Sequence, residues 1–148
     1  MSAKIATAND MQQLKNIVRA IKTEKLKAAA LCRLAGLSDD ALKDTLRGKS
    51  VLSYENFLSV KKAINIIRND VKAVLQEIGQ RKIMQERTIE QIKQLFQREE
   101  VAWFVVLERN REQRNKFDGW LNGRRSFPTE SIDFLKSCLL ILVTETTI

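Results

Sequence analysis

The sequence predicts an all-α fold made of two similar helical units joined by a long helix, and three observations carry that prediction. Apolar residues recur at helical spacing along most of the 148 residues, with one Pro and five Gly to interrupt them. Displacing the chain by 75 residues lays residues 17–64 over residues 92–139 without a gap. Between Ser53 and Gly79 there is no helix breaker at all.

Only six of the 48 superposed pairs are identical: Ile17/Ile92, Glu24/Glu99, Leu46/Leu121, Gly48/Gly123, Glu55/Glu130 and Lys61/Lys136. The stronger signal is apolar character that repeats where a core needs it, at Ile21/Phe96, Leu26/Val101, Ala30/Val105, Cys32/Leu107, Leu42/Phe117, Leu52/Phe127, Phe57/Ile132 and Val60/Leu135. Any two helical segments share some periodicity. The ungapped length and the Leu-x-Gly at 46–48 and 121–123 favour duplication over that coincidence.

In the first unit, Leu14, Ile17, Val18 and Ile21 mark one helix, and Leu26, Ala29, Ala30 and Leu34 mark a second that ends at Gly36. Gly36-Leu37-Ser38 reads as a tight turn, with Ser38 placed to cap a third, short helix that ends near Leu46 and is stopped by Gly48. Ser53 opens a fourth helix through Phe57, Val60 and Ile64. The second unit repeats the plan from Ile89, with Pro128 in the place of Ser53, where a first helical turn does not miss its N–H. Trp103, Phe104 and Phe117, and less firmly Trp120, fall on core positions.

The chain thus divides into a first unit over residues 10–68, a helical linker over 69–88 and a second unit over 89–148. Ile64, Ile67, Val71, Val74 and Ile78 are spaced 3, 4, 3, 4 across the junction. That seam fits either a linker helix packed on its own chain or the short coiled coil of a homodimer. Residues 135–143 are apolar around much of the helix, which points to a further partner surface, either the other unit or a second chain.

Composition narrows the function. There are 26 Lys+Arg against 18 Asp+Glu, a net +8, so a polyanionic partner is expected. The sequence has no His, which removes His-based acid/base chemistry and the commonest metal ligand. No phosphate-cradling Gly-rich loop is present, and the adjacent acids Asp39-Asp40 and Glu99-Glu100 point to different helix faces. The expectation is therefore no enzyme, no cofactor and no metal. Cys32 and Cys138 sit in apolar stretches without a C-x-x-C and read as buried free thiols in a reducing compartment. No apolar stretch approaches the roughly 20 residues of a membrane span. The start of the chain has no signal-peptide centre, and basic residues alternate with acids, so a cytoplasmic protein without membrane contact is expected.

The segment Ala28-Ala29-Ala30-Leu31-Cys32-Arg33-Leu34-Ala35-Gly36-Leu37-Ser38, with Leu42, Leu46, Arg47 and Gly48, has helix-turn-helix spacing: a small residue four before the turn Gly, an apolar residue after it, and two Leu anchoring the next helix. Continued by Lys49-Ser50-Val51-Leu52-Ser53, it resembles the Cro and lambda-repressor-like DNA-binding domains. Trp120-Leu121-Asn122-Gly123-Arg124-Arg125-Ser126-Phe127-Pro128-Thr129-Glu130 resembles the same element in the second unit, so the resemblance implies two tandem helix-turn-helix units over about two-thirds of the chain. It further implies that the third helix of each unit enters the major groove of double-stranded DNA while the following loop holds phosphates.

Carried onto this chain, the resemblance places Gln113, Arg114, Asn115 and Lys116, with Ser38 and Lys43 in the first unit, at base edges. Lys25, Lys27, Arg47, Lys49, Asn122, Arg124 and Arg125 then meet phosphates. The second unit departs at the turn, where Arg111 and Glu112 replace Gly36 and Leu37; Asn110 tolerates positive φ and could move the turn by one residue. The expected function is a sequence-specific transcriptional regulator of prokaryotic or phage type. Asp39, Asp40 and Asp44 repel phosphate, however, so the alternative is an antitoxin-like or anti-repressor-like module that binds a protein through that acidic helix. The basic residues are unevenly shared: residues 17–64 hold ten against five acids, and residues 92–139 nine against seven.

Overall fold

A computed structural model describes residues 7–80, 85–103, 107 and 110–146. Among these the protein has seven α-helices, one 3-10 turn and no strand. Helix α1 (Ala8–Lys22) starts where the Thr7 hydroxyl accepts from the Asp10 N–H at 3.1 Å. Asp10 in its first turn and Arg19 and Lys22 in its last complement the helix dipole. Leu14, Ile17 and Ala20 form its buried stripe.

Helix α2 (Ala28–Leu34) ends in a Schellman closure: the Leu37 N–H reaches Cys32 O at 2.9 Å and the Gly36 N–H reaches Arg33 O at 3.0 Å, with Gly36 at φ 76°. Beyond this closure the chain departs from the expected cap and helix. Ser38 caps no helix; its carbonyl accepts from Ala41 N–H in a turn, and α3 is the single turn Lys43–Leu46. Ser38, Asp39 and Asp40 in succession are residues whose short polar side chains favour turns over helix interiors, and Asp39 instead meets Arg33 at 3.5 Å.

Helix α4 (Tyr54–Gln80) is capped as the sequence predicts, by Ser53 Oγ accepting from Asn56 N–H at 3.3 Å. Its 27 residues make it the longest element described. Helix α5 is Glu86–Phe96, α6 is Arg111–Leu121, and a 3-10 turn (Thr129–Ser131) after Pro128 leads into α7 (Ile132–Glu145). Pro128 thus stands before a tight turn rather than in the first turn of the α-helix. Asn110 does not take positive φ: at φ −141° it is extended, and its side-chain oxygen accepts from Gln113 N–H at 3.1 Å. It is the N-cap of α6, and α6 begins at Arg111, in the place where the first unit has its turn glycine.

The internal repeat is visible in backbone hydrogen bonds. Leu26 and Val101 form an isolated antiparallel bridge, made by Lys27 N–H to Glu100 O at 2.9 Å and Ala102 N–H to Lys25 O at 3.0 Å. The two bonds interchange under the 75-residue displacement, so the bridge has a local two-fold axis. Helices α3 and α6 end alike: Lys49 N–H to Asp44 O at 2.9 Å and Arg124 N–H to Gly119 O at 2.8 Å, with Gly48 at φ 73° and Gly123 at φ 74°. The shared Leu-x-Gly is therefore a common helix stop.

One hydrophobic core runs through both units. Its superposed members include Ile17/Ile92, Leu42/Phe117, Val60/Leu135, Ile64/Leu139 and Ile67/Leu142, all buried. Helix α4 packs against α7 and α5. The seam Ile64, Ile67, Val71, Val74 and Ile78 is buried by this chain's own helices, which leaves it no face for a coiled-coil partner. Trp103 and Phe117 are buried as expected, Trp103 with its indole N–H donating to Leu95 O at 3.0 Å; Phe104 lies outside the described residues. On α7, Leu135, Cys138, Leu139 and Leu142 face inward while Leu140 and Ile141 face out.

Candidate nucleic-acid interface

Helix α6 stands on an inward stripe of Gln113, Phe117 and the adjacent pair Trp120 and Leu121, each step about one helical turn. Phe117 fixes it: fully buried, its ring lies 5.4 Å from Phe96 and 6.3 Å from Phe127. The opposite face presents Arg111, Arg114, Asn115 and Asp118, at the spacing that puts four side chains on one surface. With Asn110 capping its first turn, this face is held on a rigid support.

The four residues expected to meet base edges are not equivalent. Asn115 is exposed. Arg114 is half-exposed, in a loose pair with Asp118 at 3.8 Å. Lys116 turns aside, its ammonium lying 3.8 Å from Glu112 and 3.5 Å from Glu130. The Gln113 side-chain oxygen is buried and meets no donor among the described residues, so this amide belongs to the inner face. Arg111, which the repeat aligns with Gly36, joins the outer face in its place. In the first unit Ser38 lies in the turn before α3 and Lys43 is the first residue of a one-turn helix; no extended reading helix carries them.

The phosphate candidates fall into three groups. Arg47 and Lys49 flank Gly48 as Asn122 and Arg124 flank Gly123, and all four are exposed. Lys25 and Lys27 sit on the bridge between the units, away from either helix stop in sequence, Lys27 exposed and Lys25 half-buried. Arg125 is engaged: its guanidinium donates to Glu130 at 2.9 Å and to its own neighbour's carbonyl, Ser126 O, at 3.1 Å. Its stem lies across Gly119, where an added Cβ would meet Arg125 Cγ at 3.2 Å. The Arg125 hydrogen bond holds the Glu130 carboxyl below the usual carboxylate range, helped by Lys116.

Glu130 is the residue that the sequence did not single out. It is 14 positions from Lys116, so no helical spacing links them; only the fold that returns the chain after Pro128 brings the carboxylate to both cations. On the acidic side, Asp39 is tied to Arg33, while Asp40 and Asp44 are exposed. Both cysteines are buried thiols outside any disulfide, and burial pushes Cys138 up to about 11, so it is no nucleophile at neutral pH. Among the described residues no group of three ligating side chains could hold a metal, and no helix is long and apolar enough to cross a membrane. Compared with known protein families, with characterised proteins and with solved structures, the chain matches none of them.

Proposed function

We propose that this protein is a sequence-specific double-stranded DNA-binding regulator in which tandem helix-turn-helix units play unequal parts. The second unit supplies the reading helix α6. The observation that carries this is the outer face of α6: two arginines and an asparagine on a capped helix, side-chain types that pair with guanine and adenine edges in the major groove. The loop after α6 adds Arg124 as a phosphate contact. The first unit, with a one-turn α3 and exposed Asp40 and Asp44, positions rather than reads, through Arg47 and Lys49.

Binding to a duplex is tested by salt titration. Affinity falls with salt along a slope of about −0.9 per phosphate contacted, and Arg124→Ala lowers that slope by about one. Arg114→Ala and Asn115→Ala each cost about 1–3 kcal/mol against the preferred sequence and little against random duplex. Selection from a random duplex library supplies the preferred sequence. Flat salt dependence, or no enriched sequence, transfers the surface to a protein partner.

A further inference from the structure

A polar cleft of about 590 Å³ lies between the second half of α4 and α5, within the size range of small-molecule sites. Val74 and Leu95 form its floor, and the amides of Gln76, Gln91 and Gln94 supply donors and acceptors along it. The Gln91 side-chain oxygen is buried without a donor among the described residues, so a half-turn of this amide toward a ligand breaks no bond at that atom.

The two ends of the cleft differ in charge. At one end Asp70 pairs with the Arg98 guanidinium, which also meets Glu100 at 3.4 Å. The Arg98 and Glu100 side chains are mostly buried, 19% and 13% exposed, whereas that of Asp70 is 51% exposed. One guanidinium thus serves two carboxylates, and among the described residues no second cation pairs with either. The surplus negative charge falls to the accessible member, Asp70, because Glu77, the other acid of the lining, is already engaged. Arg87 marks the other end, three helical turns from Arg98, or about 15 Å of rise. It is exposed in the first turn of α5, whose N-cap Gln85 makes no side-chain bond, so a guanidinium stands beside uncapped N–H groups. Glu86 in the same turn is exposed and outside the lining.

We infer that this cleft binds a small amphoteric molecule, its basic group at Asp70 and its carboxylate at Arg87, the chemistry of a basic α-amino acid or a short peptide that contains one. The basic group supplies the second cation for two carboxylates that share Arg98. The carboxylate meets the Arg87 guanidinium and the first N–H groups of α5. Between them the ligand's stem lies on Val74 and Leu95 while the glutamine amides answer its polar atoms. A phosphate ester would bring its anionic end against Asp70 or leave that carboxylate unanswered, and a polyamine has nothing for Arg87. This inference does not rest on DNA binding, since no residue of the cleft belongs to the candidate interface.

The test titrates the full chain with L-arginine and with arginylglycine, followed through the side-chain amide resonances of Gln91 and Gln94. Saturable shifts at these amides are expected. They should weaken severalfold when citrulline replaces arginine, which removes the positive charge, and when agmatine replaces it, which removes the carboxylate. Arg87→Ala is expected to weaken L-arginine severalfold and leave agmatine unchanged, and Asp70→Asn to weaken both by at least about tenfold. If Asp70→Asn unsettles the Arg98 and Glu100 pair and does not fold, Arg87→Ala, an exposed change, carries the test. The absence of saturable shifts, citrulline and agmatine binding as tightly as arginine, or Arg87→Ala weakening both ligands alike overturns the inference. So does tighter binding of L-glutamate than of L-arginine, which reverses the assigned charges.

Discussion

The third helices of the two units end alike and begin differently. Helices α3 and α6 stop at equivalent glycines with the same hydrogen bonds, yet α3 has four residues and α6 has eleven. The difference lies upstream. In the first unit Gly36 closes α2 with a left-handed residue, and Ser38, Asp39 and Asp40 then occupy turns. In the second unit the place of Gly36 is taken by Arg111, already helical, and the position before it by Asn110, which caps. One residue that cannot easily turn and one that can cap lengthen the helix by seven residues and give it a usable outer face. Two helices can thus share a stop and differ in length through where each one starts.

The largest test of this comparison is in the core beneath each third helix. Phe117→Ala removes a fully buried ring that touches two other rings and is expected to cost about 3–5 kcal/mol; its counterpart Leu42→Ala removes a smaller side chain at about 2–5 kcal/mol. Denaturant midpoints at unchanged m-value measure both. Both belong to one core, so each variant should unfold in a single transition seen by helicity and by Trp fluorescence. Two separated transitions would show the units to be independent.

Next in size are the stops. Gly48→Ala and Gly123→Ala force an alanine into φ 73° and 74° with open space around the new Cβ, so each is expected to cost about 1–2 kcal/mol from backbone strain alone. Equal costs support a shared stop, and a large inequality breaks the equivalence. The starts are expected to be unequal. Asn110→Ala loses a cap and costs about 1 kcal/mol, whereas Ser38→Ala falls within about 0.5 kcal/mol, having no cap to lose.

How much of the molecule is legible in the sequence depends on the range of the interactions. The all-α character, the buried seam from Ile64 to Ile78, the cap at Ser53 and the role of Gly48 and Gly123 are local or periodic features, and residue spacing reveals them. The length of α3 is hidden because Ser38 suits a cap and a turn equally, and the Schellman closure at Gly36 decides between them. Within the candidate interface, helical spacing identifies Arg114 and Asn115. It cannot show that Gln113 turns inward or that Lys116 and Arg125 are held by Glu130, since these depend on how α6 lies on the core and where the chain returns. Arg111 looks in the sequence like a defect in a turn and is instead the first outward residue of the helix.

The smallest expected effect on stability is also the sharpest probe of the two loops. Glu130 and Glu55 are identical residues at superposed positions, but among the described residues only Glu130 is clamped between an arginine and a lysine of the candidate interface. A carboxyl held below its usual range contributes stability above the ordinary carboxylate pKa and loses it as the pH falls through its own lowered value. The group is exposed, so solvent screening keeps that contribution small. On the proposed DNA-binding reading its larger consequence is for polyanions: the carboxylate offsets the charge of Lys116 and Arg125 beside α6, so a DNA phosphate would compete with it. Glu130→Gln should therefore leave the unfolding midpoint nearly unchanged, tighten duplex binding at low salt and steepen the salt slope by about one to two. Glu55→Gln should change neither. If both variants bind with the parent's affinity and slope, Lys116 and Arg125 do not meet phosphate, and DNA contact is confined to the outer face of α6 and Arg124.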